Sequence, residues 1–197
     1  PLKVSPATII PRPETELLVE TVLSLLLGEK ISVLDLGTGT GAIALALASE
    51  KPLWNITAVD SELGALELAQ ENRKNFGFSN VSIYQSNWFA SLKEYSFDLI
   101  VSNPPYVSLD DENLQRGDVR FEPLSALVAE NSGLSDIHTI TFGAYSHLNW
   151  GGWLMLEHGC DQGESVRKFM LKAGYCQIKT FSDLSGLDRV SICRKLN

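Results

Sequence analysis

The stretch from Ile31 to Ala48 limits the possible folds more than any other part of the chain. Ile31 to Leu36 is a short run with no polar alternation, as expected of a strand covered on both faces, and such strands belong to parallel sheets sandwiched between helices. It runs into Asp35-Leu36-Gly37-Thr38-Gly39-Thr40-Gly41 and then Ala42-Ile43-Ala44-Leu45-Ala46-Leu47-Ala48, whose residues are strong helix formers and almost wholly apolar. A strand, a glycine loop and a buried helix in that order make a nucleotide-type site. Glycines let the backbone approach a ligand closely, and the first turn of the helix offers N–H groups without intrahelical partners.

The remaining pattern extends this unit into a sheet. Pro6 to Pro13 is too rich in proline for regular structure, Pro11-Arg12-Pro13 within it is either a stiff entry loop or a lid over a site, and Leu17, Leu18, Thr21, Val22 and Leu25 mark one face of a helix that Gly28 should stop. Strands are expected at Asn55 to Val59, ending in Asp60, at Val81 to Tyr84, at Phe97 to Ser102 and at Gly152 to Glu157. Helices are expected at Glu62 to Phe76, with Leu63, Leu66, Ala69 and Phe76 at helical spacing, at Leu134 to Leu148 and at Ser165 to Ala173. Tyr175 to Phe181 and Arg189 to Cys193 have no helix between them and should close the sheet as an antiparallel pair. The fold class is therefore α/β: a mostly parallel seven-stranded sheet with an antiparallel C-terminal strand and helices on both faces. At 197 residues and 44% hydrophobic composition, residues 1–197 are expected to form a single domain.

Charge and cysteines narrow the function. A net charge of −8 repels phosphate backbones and anionic lipid. The basic pairs Arg73-Lys74, Arg167-Lys168 and Arg194-Lys195 read as solvated surface, so neither nucleic acid nor membrane is expected as a partner. Cys160, Cys176 and Cys193 lack zinc-site spacing, and the last two fall in strand-like runs, which suits free thiols in a reducing cytoplasm. No metal is expected. His158 ends a strand and is read as structural rather than catalytic.

Two segments carry chemistry. Gly37, Gly39 and Ala42 satisfy the dinucleotide pattern G-x-G-x-x-A. The same loop, with Asp35 two residues ahead of Gly37, resembles the first motif of S-adenosylmethionine-dependent methyltransferases, where a carboxylate suits a sulfonium and would be unfavourable beside a pyrophosphate. Asp60 is placed for the paired hydroxyls of a ribose in either case. Asn87 and Trp88, past the third strand, can address the edge and face of an adenine, or Trp88 and Phe89 can fill core. The second segment is Asn103-Pro104-Pro105-Tyr106, directly after the fourth strand. Consecutive prolines cannot continue a ladder. They leave the Pro104 carbonyl free beside the Asn103 side-chain oxygen, with the Tyr106 ring nearby, and paired acceptors of this kind suit a planar –NH2 group. Because this turn and the glycine loop end adjacent strands, the scaffold itself would bring a methyl donor and an acceptor nitrogen together. The polar stretch Val107 to Leu127 leaves directly from Tyr106 and reads as a substrate-recognition loop.

Five segments in order, Pro11-Arg12-Pro13-Glu14-Thr15-Glu16, Asp35 to Gly41, Ser102 to Tyr106, Gly117-Asp118-Val119-Arg120-Phe121-Glu122-Pro123 and Leu156-Glu157-His158-Gly159, resemble the HemK/PrmC family. These are Rossmann-like class I methyltransferases that use S-adenosylmethionine, leaving S-adenosylhomocysteine, to methylate the glutamine amide nitrogen in the Gly-Gly-Gln loop of class I peptide-chain release factors. The resemblance implies that Gly37, Thr38, Gly39, Thr40 and Gly41 surround the methionine part of the cofactor, with Asp60 on the ribose and Asn87 and Trp88 beside the adenine. It implies that Asn103, Pro104, Pro105 and Tyr106 surround the substrate glutamine, with Asn103, Pro104 and Tyr106 as the catalytic set. Position 87 is Asn where the family often has Asp, so an adenine contact there would rely on an amide oxygen. The family also carries an N-terminal helical domain, and with Pro1 in first position the chain is expected to be the catalytic portion. Two alternatives remain at this level: an adenine- or guanine-N methyltransferase acting on RNA or DNA, which shares the Asn-Pro-Pro-Tyr turn, and a binding module without catalysis.

Overall fold

The structure, a computed structural model, describes residues 1–25 and 27–196. Its centre is a seven-stranded sheet in the order β3-β2-β1-β4-β5-β7-β6. The strands are β1 (Ser32–Leu36), β2 (Asn55–Asp60), β3 (Val81–Gln85), β4 (Phe97–Ser102), β5 (Leu148–Glu157), β6 (Cys176–Ser182) and β7 (Asp188–Arg194). All neighbours pair in parallel except β7, which runs antiparallel to both β5 and β6. The expected antiparallel closure is therefore present, with β7 inserted between β5 and β6.

Helices α1 (Pro13–Ser24), α2 (Ala42–Glu50), α3 (Leu63–Phe76), the single turn α4 (Glu130–Gly133), α5 (Ser135–His147) and α6 (Gly163–Lys172) cover the sheet. Strand residues alternate between two cores. Val33, Leu99 and Val101 pack with Leu18 and Val22 of α1 and Ile43, Leu45 and Leu47 of α2. Leu34, Ile100 and Leu154 face the other way, onto Ile137 and Ile140 of α5 and Val166 and Met170 of α6. Each such leucine or isoleucine, fully withdrawn from water, contributes about 1.5–3 kcal/mol. Having a core on both faces is why β1 reads as a continuous apolar run.

Several boundaries and burials differ from expectation. Helix α1 ends at Ser24 rather than Gly28, with Leu25 already in an extended conformation, and Leu26 lies outside the described residues. Strand β5 begins at Leu148 rather than Gly152, because α5 passes into it without a loop. On α3, Leu63 and Phe76 are exposed, and Ala65, Leu66, Leu68 and Ala69 form the buried stripe. The Arg194-Lys195 pair is not a solvated face: Lys195 is buried, its Nζ donating to the carbonyls of Tyr145 and Leu148 at 2.7 and 2.8 Å, and Arg194 stacks over Trp153. The three thiols are unpaired, with Cys160 exposed, Cys176 half-buried and Cys193 buried. His158 is fully buried between the Gly159 carbonyl and Ser191 Oγ, a structural placement.

Candidate active site

The sheet order reverses between β1 and β4, and open α/β sheets bind ligands beyond the strand ends at such a crossing. A cleft of about 250 Å³ opens there. Each strand end contributes to its wall: Gly37 and Gly39 after β1, Asp60 and Glu62 at β2, Ser86, Asn87 and Trp88 after β3, and Asn103 and Pro105 after β4. Gly37 and Gly39 have φ of 68° and 55°, the left-handed region where a side chain is strained. A Cβ on Gly37 would meet the Trp88 ring at 3.4 Å, an ordinary contact, so it is the positive φ that calls for glycine here. Trp88 is itself held at φ 47°, with Ser86 Oγ donating to its carbonyl at 2.7 Å. It both lines the cleft and rests on the α5-side core, so the two sequence readings of this residue meet.

Among the described residues lining the cleft, three are carboxylic acids (Asp60, Glu62 and Asp136) and none is Lys, Arg or His. Asp60 spans the loop, accepting from the Gly39 N–H through Oδ2 and the Glu62 N–H through Oδ1, at 2.9 and 3.0 Å. Burial raises the Asp136 carboxyl above its usual range. Thr8 also lines the cleft, and its Oγ1 is buried without a hydrogen-bond partner. A site with this charge suits a cationic ligand and disfavours a pyrophosphate.

Four predicted cofactor contacts are placed elsewhere. Asp35 does not face the cleft: it is fully buried beneath the loop, its Oδ2 accepting from Thr38 Oγ1 at 2.7 Å and the Ala44 N–H at 3.2 Å. Desolvation pushes its pKa up to about 7. Thr38 and Thr40 are buried, and Gly41 caps α2 at φ 84° where a Cβ would strike Leu45. These residues shape the loop from below while Gly37 and Gly39 present it.

The Asn-Pro-Pro-Tyr turn divides in the same way. Asn103 and Pro105 line the cleft, and Pro104 is buried. Tyr106 does not line it: its ring packs on the α5-side core and its hydroxyl donates to Glu157 Oε1 at 3.1 Å. The other carboxylate oxygen, Glu157 Oε2, accepts from Thr15 Oγ1 at 2.9 Å, and Thr15 Oγ1 accepts from Asn103 Nδ2 at 3.0 Å. Glu157 is fully buried, and desolvation raises its pKa to about 7 against the lowering effect of both hydroxyl donors. Among the described residues, no hydrogen bond engages Asn103 Oδ1 or the Pro104 carbonyl.

Two loops roof the cleft. Ala7, Thr8 and Ile9 line it from the N-terminal strap, Ser125 and Ala126 from the segment after β4. They are clasped through Glu122, which takes the Ile10 N–H on Oε1 at 3.0 Å and the Arg12 guanidinium on Oε2 at 2.7 Å. Of Pro11-Arg12-Pro13 itself, Arg12 takes part in the clasp, and the residues that line the cleft, Ala7, Thr8 and Ile9, lie just ahead of it. Sequence reasoning assigned no role to Thr8, Thr15, Glu122, Asp136 or Glu157. Signals were present for three of them: Thr15, Glu122 and Glu157 lie within the segments that carry the family resemblance, and Glu157 is a carboxylate ending the apolar strand β5.

Comparison with known proteins bears on this geometry. A family model described as "Methyltransferase small domain" matches residues 13–118. A release factor glutamine methyltransferase of Escherichia coli K12 is 52% identical over 194 residues, covering 98% of this chain and 70% of the relative. The chain belongs to the release factor glutamine methyltransferase family.

Among solved structures, a methyltransferase from Pyrococcus furiosus aligns with TM-score 0.75 at 21% identity, covering 100% of this chain and 89% of the other. A Thermus thermophilus 16S rRNA N2 methyltransferase, solved in complex with AdoMet and guanosine, aligns with TM-score 0.70 at 20% identity over 94% of this chain and 44% of its own. At these identities the likeness is one of fold, and it agrees with the Rossmann-like class I architecture expected from the sequence. In this release factor glutamine methyltransferase family member, the segments that carried the sequence resemblance converge in space. Arg12 meets Glu122, Thr15 joins Asn103 to Glu157, and the glycine loop and the strap line the same cleft.

Proposed function

We infer that this chain performs its family's reaction, transferring a methyl group from S-adenosylmethionine to the side-chain amide nitrogen, N5, of a glutamine in a class I peptide-chain release factor. The glutamine of the Gly-Gly-Gln motif is the residue proposed, with S-adenosylhomocysteine as the other product. The observation that carries the reading is the placement of Asn103 on the wall of a cleft lined by three acids and no base. Family membership supports it. The proposal takes residues 1–197 as one catalytic domain, the release factor as protein partner and the cytoplasm as compartment. Among the described residues, no helix is long and apolar enough to cross a membrane.

The cleft suits the cofactor. Gly37 and Gly39 bring backbone close, Asp60 offers carboxylate oxygens to ribose hydroxyls, Trp88 presents a ring, and Thr8 has an unused hydroxyl. When bound there, S-adenosylmethionine supplies a methyl group activated by its positive sulfur. The protein's own task is to make an amide nitrogen reactive. Its lone pair is delocalised into the carbonyl, so it is a poor nucleophile. Asn103 Oδ1 and the Pro104 carbonyl accept the two N–H bonds of the substrate carboxamide, orient the nitrogen, and stabilise the positive charge that grows on it as it is alkylated. The carbon–sulfur bond breaks as the carbon–nitrogen bond forms, the alkylated nitrogen then gives its extra proton to solvent water, and no general base is needed beforehand. Asn87 offers its amide to the adenine edge from the same wall.

The test is methyl-group labelling of a class I release factor in parallel with bulk tRNA, rRNA and DNA. Label in the release factor alone, lost when its Gly-Gly-Gln glutamine is replaced, is expected. Label in nucleic acid instead would transfer the assignment to the exocyclic amine of a base.

A further inference from the structure

We propose that Thr15 and Glu157 are positioning residues that decide which end of the Asn103 carboxamide faces the cleft. This rests on the reading of Asn103 as the acceptor for the substrate amide. A primary carboxamide is nearly symmetrical in shape, and turned by half a revolution it would present its –NH2 group to a substrate that itself brings only donors. The turn is prevented by a one-way chain of hydrogen bonds. A threonine hydroxyl has one proton, and that of Thr15 is given to Glu157 Oε2 at 2.9 Å. Toward Asn103 it can then only accept, so it takes Nδ2 at 3.0 Å and leaves Oδ1 for the cleft.

The polarity is anchored at the Glu157 end. Tyr106 donates to Oε1 at 3.1 Å, so in its ionised form Glu157 offers both carboxylate oxygens as acceptors and fixes the polarity. Around this group stand Glu14 and Thr15 from α1, Tyr106 from the turn after β4, and Arg189 from β7, with Glu14 and Arg189 opposed in sign. Asn103, Thr15 and Glu157 come from the ends of β4 and β5 and the first turn of α1, and Thr15 and Glu157 are buried at 7% and 0% exposure. Neither Thr15 nor Glu157 lines the cleft. Their influence on the reaction passes through Asn103.

Three variants test this in the whole chain: Thr15→Val, which keeps shape and removes the hydroxyl, Thr15→Ser, which restores it, and Glu157→Gln, which makes the anchor ambiguous. Losing control of one positioned hydrogen bond corresponds to a roughly tenfold to hundredfold fall in turnover. Thr15→Val should show that fall, with cofactor affinity by calorimetry within about threefold of wild type. Thr15→Ser should stay within about threefold in turnover. The Asn103 side-chain –NH2 resonance should lose exchange protection in Thr15→Val and keep it in Thr15→Ser. Wild-type turnover in Thr15→Val, or an equal fall in Thr15→Ser, overturns the proposal. Should Thr15→Val fail to bind cofactor, Glu157→Gln is read by the same criteria: reduced turnover with cofactor affinity retained supports the chain, and unchanged turnover refutes it. If the wild-type chain labels no release factor, the functional reading fails, and the –NH2 resonance still decides whether Thr15 orients the amide.

Discussion

Each half of the cleft stands on a buried carboxyl group, Asp35 under the glycine loop and Glu157 under the Asn-Pro-Pro-Tyr turn. Both are fully buried, and desolvation lifts both to a pKa of about 7. They are held in opposite ways. Asp35 takes its hydrogen bonds from Thr38 and Ala44, three and nine residues along the chain. Glu157 takes its own from Tyr106 and Thr15, 51 and 142 residues away. The glycine-loop half is thus a local device in which backbone conformation makes the surface. The half at the Asn-Pro-Pro-Tyr turn is a long-range device, in which side chains from three elements must be assembled before one amide oxygen is presented. Substitutions should therefore separate the two: damage to the loop should appear as lost cofactor affinity, and damage to the turn as lost turnover.

The largest separation is expected for Asn103→Ala. Removing a positioned acceptor of developing charge costs about a hundredfold to a thousandfold in rate, and a single-turnover assay at saturating cofactor should show it while calorimetry finds cofactor affinity within about threefold of wild type. Equal loss in both measurements would mean that the two halves are one site.

The pH dependence of stability should come next. A carboxyl with a higher pKa in the folded chain than in the unfolded keeps its proton preferentially in the fold, so its contribution is greatest at low pH and is lost as pH rises toward the folded value. For Asp35 the window runs from 3.8 to about 7, and for Glu157 from 4.5 to about 7. Measured as melting temperature against Asp35→Asn and Glu157→Gln, wild type should lose ground across these windows and run parallel to the variants above them. A gap that stays constant with pH would show that the groups titrate normally.

Gly37→Ala sharpens the contrast from the other side. A non-glycine residue at φ 68° is strained by about 1–2 kcal/mol, and its Cβ would reach 3.4 Å from the Trp88 ring. Cofactor affinity should fall about tenfold, with turnover at saturating cofactor less affected. The smallest effect is expected at the roof, where Arg12→Ala opens the clasp to Glu122. The guanidinium is one-third exposed, so a loss of about 1 kcal/mol is expected, seen as a fall in melting temperature of about 2–4 °C. Amide exchange at Ile10, whose N–H also binds Glu122, should quicken at the same time.

The legible parts of this molecule were those written in short-range spacing. The β1 run, the glycine loop and the α2 helix appear in the structure as read, and so does Asp60 at the end of β2. Asp35 was read as facing the ligand, since its distance from Gly37 locates it in the motif but does not say toward which side a carboxylate turns at a strand end. Tyr106 was likewise assigned to the substrate, and its hydroxyl instead completes the set of donors on Glu157. The helix end at Gly28 was misplaced because a glycine signals where a helix can stop, while α1 already ends at Ser24, where Leu25 turns extended and its N–H bonds the Val22 carbonyl.

Sequence alone determined the α/β architecture, the position of the cleft at the strand ends and the identity of the turn that bears Asn103, because strand alternation, glycine conformations and consecutive prolines act over a few residues. Only the tertiary structure decided that Thr15 and Glu157 stand behind Asn103, that Arg12 clasps Glu122, and that Glu62 and Asp136 join Asp60 in lining the cleft. Those contacts join residues tens to more than a hundred positions apart, and a hydrogen bond depends on distance and direction, which exist only once the chain has folded.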